Sequence, residues 1–241
     1  MSSLPECPAP EAARWHALVR RLAAEVHPGW LPDWPDALVR QAKASTLGCR
    51  MISVRLGATV APALFCAAAP PPAAVLQRHP WLHLTGAELR EAVLDVGAMA
   101  MSPAIHTVVR RGDMRTLRRS LGEARYRLAL QVPLDSAPSA AAEQAQAALR
   151  RCLETDAGLA PHVQIAGLIE IGAALADEHP ALLQRLRIAF PPSQALKAQV
   201  GWLDKATVRR ALARRAAPKA SAPPAAPSAA SETQGERANV Q

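Results

Sequence analysis

The sequence predicts a mainly α-helical protein. It reads as one compact domain of about nine or ten helices over residues 1–215, with a disordered Pro/Ala/Ser-rich tail at 216–241. Three observations carry this. Alanine fills 53 of the 241 positions, and alanine is the best helix former, with Leu, Arg, Gln and Glu behind it. The sheet builders Val, Ile, Phe and Tyr are scarce, and aromatic residues make up only 3% of the chain, which argues against a sandwich or barrel. Helix start and stop signals recur along the chain at the spacing of short helices.

Taken in order, Pro10 to Val26 is a first helix, stopped by His27–Pro28–Gly29. Asp36 offers an N-cap oxygen to a second helix that runs to about Ala61. Pro70–Pro72 breaks the chain, and Ala73–Gln77 is a short helix. Thr85 and Glu88 form a capping box, in which each side chain satisfies the other residue's backbone N–H. That helix ends near Met101. Ser102–Pro103 reads as an N-cap with Pro at the first helical position, opening a short helix that stops at Gly112. Asp113 caps the next helix, to about Leu130. Further helices fall at 139–155, 162–177, 180–188 and 194–215. The only sheet candidates are very short strands at Leu128–Val132 or Arg187–Phe190. Leu134–Ala140 (LDSAPSA) reads as a linker or long loop between sub-lobes 1–133 and 139–215.

The composition excludes several classes. The 28 basic residues, 24 of them Arg, outnumber 20 carboxylates and leave a net charge of +8. Such a balance points to nucleic acid, an anionic membrane surface or an acidic protein partner. The tail's charges cancel (Lys219 and Arg237 against Glu232 and Glu236), so the excess belongs to the helical part. The start, MSSLPECPAPEAARWH, lacks the basic and apolar segments of a secretory signal. The longest uncharged segment, Leu56–Gln77, contains Pro62, Pro70, Pro71 and Pro72, which a membrane-spanning helix would not tolerate. Cys7, Cys49, Cys66 and Cys152 are widely spaced and read as free thiols of a reducing compartment.

No motif of catalysis or cofactor binding stands out. His79 and His83 share i, i+4 spacing in HPWLH, but Pro80 lies between them and no glutamate takes the metalloprotease position. Phosphate-cradling GxxxxGK[ST], dinucleotide-binding GxGxxG and nucleophile-elbow GxSxG patterns are missing. The residues therefore suggest neither an enzyme nor a cofactor or metal site.

Charge is concentrated on one helix. At about 100° per residue, Met114, Leu117, Leu121, Ala124 and Leu128 fall within roughly 80° of each other, whereas Arg115, Arg118, Arg119 and Arg125 occupy roughly 120° opposite. Arg111 adjoins them. The ordinary reading is a solvated face; the functional one is a docking surface for carboxylates or phosphates, which the planar guanidinium fork suits. The last helix adds Lys205, Arg209, Arg210, Arg214 and Arg215. A helix-turn-helix over Ile105–Arg127, with Gly112 in the turn, is the nucleic-acid alternative. Its recognition helix lacks the Asn and Gln that read base edges.

The order of motifs resembles the SctK family of type III secretion systems (the YscK, PscK, OrgA and MxiK proteins). The matching stretches are His27–Pro28–Gly29–Trp30–Leu31–Pro32, Leu84–Thr85–Gly86–Ala87–Glu88–Leu89–Arg90, and Ile105–His106–Thr107–Val108–Val109–Arg110–Arg111 with Leu121–Gly122. Near the end comes Leu182–Leu183–Gln184–Arg185–Leu186–Arg187–Ile188–Ala189–Phe190–Pro191–Pro192, preceded by the small-residue helix Ala166–Asp177. The resemblance spans roughly residues 25 to 195.

What the resemblance implies is a non-enzymatic adaptor of the cytoplasmic sorting platform, peripheral to the inner membrane. Such proteins link the inner-membrane ring protein (SctD) to the pod protein (SctQ), and through it SctL and the ATPase SctN. No catalytic residue, cofactor or metal comes with it. On this reading Arg110, Arg111, Arg115, Arg118 and Arg119 form one partner surface, and the Trp30 and Trp34 loop is a second candidate contact. Core anchoring of both indoles is the simpler expectation for that loop. The alternative remains a helical nucleic-acid-binding regulator.

Overall fold

In the computed structural model, residues 10–66, 71–133, 137–155, 158–194 and 201–217 are described. They form thirteen α-helices: α1 (Pro10–Glu25), α2 (Asp36–Lys43), α3 (Thr46–Thr59), α4 (Pro62–Phe65), α5 (Ala73–Arg78), α6 (Gly86–Ala100), α7 (Ser102–His106), α8 (Arg111–Leu121), α9 (Glu123–Leu130), α10 (Ser139–Thr155), α11 (Ala160–Ala174), α12 (Pro180–Ile188) and α13 (Lys205–Ala216). Short 3-10 turns occupy Pro28–Trp30, Pro80–His83 and Pro192–Gln194. No strand occurs among the described residues, and both strand candidates resolve into helix ends: Leu128–Leu130 closes α9 and Arg187–Ile188 closes α12. The expected tail lies almost wholly outside the described residues, as do 134–136 of the expected linker.

The helices outnumber the expected nine or ten because two long helices are broken and α4 is added. The helix expected from Asp36 to Ala61 is two, α2 and α3, and the short α4 follows it at Pro62–Phe65. Ser45 leaves helical geometry at φ −122° and its side-chain oxygen accepts the Gly48 N–H at 3.0 Å, capping α3. A Cβ on Gly48 would lie 2.3 Å from Ala42 Cα, so the sharp corner between α2 and α3 requires glycine there. Asp36 is the first residue of α2 and makes no cap bond. The helix expected from Asp113 to Leu130 breaks at Gly122, whose φ of +79° ends α8. The inward face then shifts: Leu117 and Leu121 are buried in α8, but Tyr126 and Ala129 are buried in α9, while Ala124 is exposed. Gly112 sits inside α8 rather than in a turn, and the short helix before it stops at His106.

Of the other expected caps, Ser102 is the first residue of α7 and Asp113 lies in the first turn of α8, and neither helix has a side-chain cap bond; the Thr85 cap forms. Thr85 and Glu88 make the full capping box, with Glu88 Oε2 2.9 Å from the Thr85 N–H and Thr85 Oγ1 3.3 Å from the Glu88 N–H. Such caps contribute about 1 kcal/mol each.

Three apolar clusters fill the interior. The largest surrounds α6, with Trp81, Leu89, Val93, Leu168, Ile171, Leu186 and Val208. The second joins α1, α2, α3 and α4 through Leu22, Val39, Ile52 and Leu64, and takes Ala181 and Ile188 from α12. A third lies among α7, α8, α9 and α10 with Ile105, Leu117, Tyr126 and Leu149. The clusters draw on both sides of residues 134–138. The last turn of α6, from Val96 to Ala100, is buried all round, as befits a central helix. Its most extensive partner is α11. There Gly97 and Gly167 bring the two backbones together: a Cβ on Gly97 would lie 1.8 Å from the Val163 carbonyl oxygen.

His79 is buried (1% exposed) beside Trp81. Its Nδ1 accepts the Trp81 indole N–H at 3.3 Å, and Nε2 lies 3.5 Å from Glu178. Burial lowers its pKa from 6.5, against the pull of Glu178. His27 and His83 are lowered as well, again chiefly by burial. A folded-state pKa below the unfolded value gives stability that is present above the unfolded pKa and lost as pH falls through the folded one. The melting temperature should therefore fall as pH drops below about 6.5. Replacing His79 by Gln, whose amide oxygen accepts the same indole bond, should flatten that decline. An identical pH profile in His79→Gln would show that this histidine does not contribute.

Candidate docking surfaces

The five arginines singled out from the sequence all lie exposed on one ridge, from the α7–α8 connection along α8. Arg118 stacks over the Tyr126 ring at 4.9 Å and lies 3.9 Å from Glu123. Arg110, Arg111, Arg115 and Arg119 have no ion-pair partner among the described residues. Val109, 89% exposed, stands at the head of the ridge. It faces a groove of about 440 Å³ between the α7–α8 connection and α10, lined also by Arg110, Asp113, Gln146 and Arg150.

Arg125 departs from the expected face. The break at Gly122 turns it toward α6, where Nε lies 3.0 Å from Asp95 and Nη2 pairs with Glu91. The basic last helix is likewise engaged within the fold. Arg215 Nε lies 2.7 Å from Asp95, Lys205 lies 2.6 Å from Asp177, and Arg209 pairs with Glu178. Of its five cations, Arg210 and Arg214 make no ion pair among the described residues.

Trp30 is an anchor. Its indole N–H donates to the Phe190 carbonyl at 2.8 Å and lies 3.2 Å from the Arg187 carbonyl, while the Arg187 guanidinium sits 5.1 Å above the ring. Trp34 is half-buried against the α1–α3 cluster. The His27–Trp30 turn thereby docks on the end of α12, and the His27 N–H donates to Ile188 O at 2.8 Å. Close by, Arg185 is fully buried and donates from Nη2 to Glu25 and to the Leu84 carbonyl, both at 2.9 Å. Three of the stretches that carry the family resemblance, around His27, Leu84 and Leu182–Pro192, thus meet at one junction.

The structure also shows a surface the sequence left unread. On α3, Cys49, Ile52 and Leu56 turn inward. Leu47, Met51 and Val54 face out, at 69%, 52% and 65% exposure. With Trp34, Arg50, Arg55 and Ala58 they line a shallow groove of about 560 Å³. The signal was present as i, i+4, i+7 spacing, but α3 carries two apolar stripes and the period alone does not say which one is covered.

Elsewhere, buried Glu170 accepts the Trp202 and Leu203 N–H groups at 3.1 and 2.9 Å, and burial raises its pKa against those two bonds. It holds the turn that enters α13. Cys49, Cys66 and Cys152 are free thiols. Among the described residues no group of three or more His, Cys, Asp or Glu side chains is placed to hold a metal, and no helix is long and apolar enough to cross a membrane. The chain matches no protein-family model, no curated protein and no solved structure.

Proposed function

We propose that this chain is a non-enzymatic helical adaptor of the type III secretion sorting platform, at the cytosolic face of the inner membrane. It would link an SctD-like ring protein to an SctQ-like pod protein. The observation that carries the proposal is the α8 ridge: four exposed arginines with no internal carboxylate, on a helix whose other side packs into the third core cluster. Arginine on a rigid ridge gives orientation and partner choice more than raw affinity. The common junction of three resemblance-bearing stretches supports the family reading, since it gives their order in the chain a structural reason. The internal pairing of Lys205, Arg209 and Arg215 leaves α13 with less charge for phosphates than its sequence suggests.

The test reverses two charges. Arg115→Glu with Arg118→Glu should weaken pull-down of an SctD-like or SctQ-like partner by about tenfold or more, with the helical circular-dichroism spectrum kept. Unchanged binding to both partners, with the fold intact, would sink the assignment. A steep salt-dependent shift of plain duplex DNA would instead favour the nucleic-acid reading.

A further inference from the structure

We infer that the outer face of α3 is a docking groove for an acidic amphipathic helix of another protein. The inference stands apart from the α8 ridge and does not depend on it. Large apolar side chains on a protein surface are ordinary when scattered, but a contiguous row marks an interaction site. Here Leu47, Met51 and Val54 form one row along α3, with Leu38 of α2 also 44% exposed and Trp34 at the side of the groove. From Leu47 to Ala58 the groove runs about 16 Å along the helix axis, or three turns. That length receives a partner helix reading i, i+3 or i+4, and i+7. Met51 at its centre is a side chain that adapts to differing shapes.

Charge selects the occupant. Arg50 and Arg55 line the groove, and no carboxylate does. Arg55 is held by Asp33, whereas Arg50 has no ion-pair partner among the described residues. A partner with Glu or Asp beside its apolar row would meet forked donors where it needs them. A second copy of this chain fits less well. A two-fold contact lays a patch on itself, which would bring Arg50 and Arg55 of both copies together. The chain's own ends do not fit either. Residues 218–241 hold one apolar side chain larger than Ala and Pro, Val240, and residues 1–9 hold Met1 and Leu4 beside Pro5 and Pro8. A membrane surface would draw on buried apolar area and many cations, and three side chains with two arginines supply little of either.

The probe is a displayed library of helical peptides of about 18 residues, five turns, panned against the full chain. The enriched peptides should carry large apolar residues at i, i+3 or i+4, and i+7, with Glu or Asp alongside. Met51→Glu with Val54→Glu should reduce their affinity by about tenfold or more while leaving the melting temperature unchanged, since both side chains are exposed. Arg50→Glu should weaken them too, and Lys in place of the peptide's acidic residues should restore binding to that variant. The inference is overturned if panning enriches nothing, if the enriched peptides lack the acidic flank, or if they bind the Met51→Glu, Val54→Glu chain equally well. It is also overturned if the wild-type chain is a dimer that those substitutions dissociate. Binding to phosphatidylserine vesicles that the same substitutions abolish would assign the face to a membrane instead.

Discussion

Gly97→Ala should cost the protein about 3 kcal/mol or more, and Gly167→Ala about the same. In most helix interiors the change from Gly to Ala is favourable by up to about 1 kcal/mol. Here the added methyl group has nowhere to go. On Gly97 it would lie 1.8 Å from Val163 O, and on Gly167 it would lie 2.0 Å from Val93 O. Both obstacles are backbone atoms, so no rotamer change relieves them, and α6 and α11 must move apart. That separation opens the largest core cluster, to which both helices contribute. The melting temperature should fall by about 6–12 °C. Gly112→Ala is the control, because a Cβ there meets nothing within 4 Å. It should be neutral or stabilising by a few tenths to about 1 kcal/mol. Equal melting temperatures for Gly97→Ala and Gly112→Ala would refute the close crossing.

Arg185→Ala should cost about 3–5 kcal/mol, measured by denaturant unfolding. The side chain is fully buried and ties three segments together: α12, the Glu25 end of α1, and the Leu84 carbonyl before α6. Burial pushes its pKa down to about 10, against the pull of Glu25, so it is charged at neutral pH. Its Nε and Nη1 have no hydrogen-bond partner among the described residues, so the pair is incompletely compensated. This gives a second expectation. Arg185→Met keeps the volume but leaves the Leu84 carbonyl unpaired and the Glu25 carboxylate with only the longer contact to Arg21, at 3.8 Å. Adding Glu25→Gln removes that charge and should recover part of the loss, since a buried pair replaced as a unit costs less than one broken from one side. Additive losses in the two single variants would mean that the ion pair is not what holds the junction.

The elements that were legible in the sequence are those whose ends are set by neighbouring residues. Thr85 and Glu88 are three positions apart, and their box forms as read. Pro180 at the first position fixes the start of α12, and Ser139–Thr155 and Pro10–Glu25 also fall close to their expected bounds. The misread elements are breaks that leave helix propensity intact on both sides. Nothing near Gly122 forbids a continuous helix, yet the chain turns there at φ +79°. The same break moved Arg125 from the outer arginine face to Asp95 and Glu91. The apolar face of α3 was missed for a related reason, since two stripes of equal quality are present and only contact with α1, α2 and α4 covers one of them.

By itself the sequence determined the helical class, the Thr85–Glu88 capping box and the exposed arginine ridge of α8. These follow from propensity and from interactions within one or two turns, which a single chain segment carries wherever it is placed. Tertiary structure decided the rest: that Gly97 meets Gly167, that Arg185 finds Glu25, and that Arg215 finds Asp95 across 120 residues of chain. It also decided that Leu47, Met51 and Val54 remain uncovered. Each of these depends on which distant surfaces come together, and no local period encodes that choice.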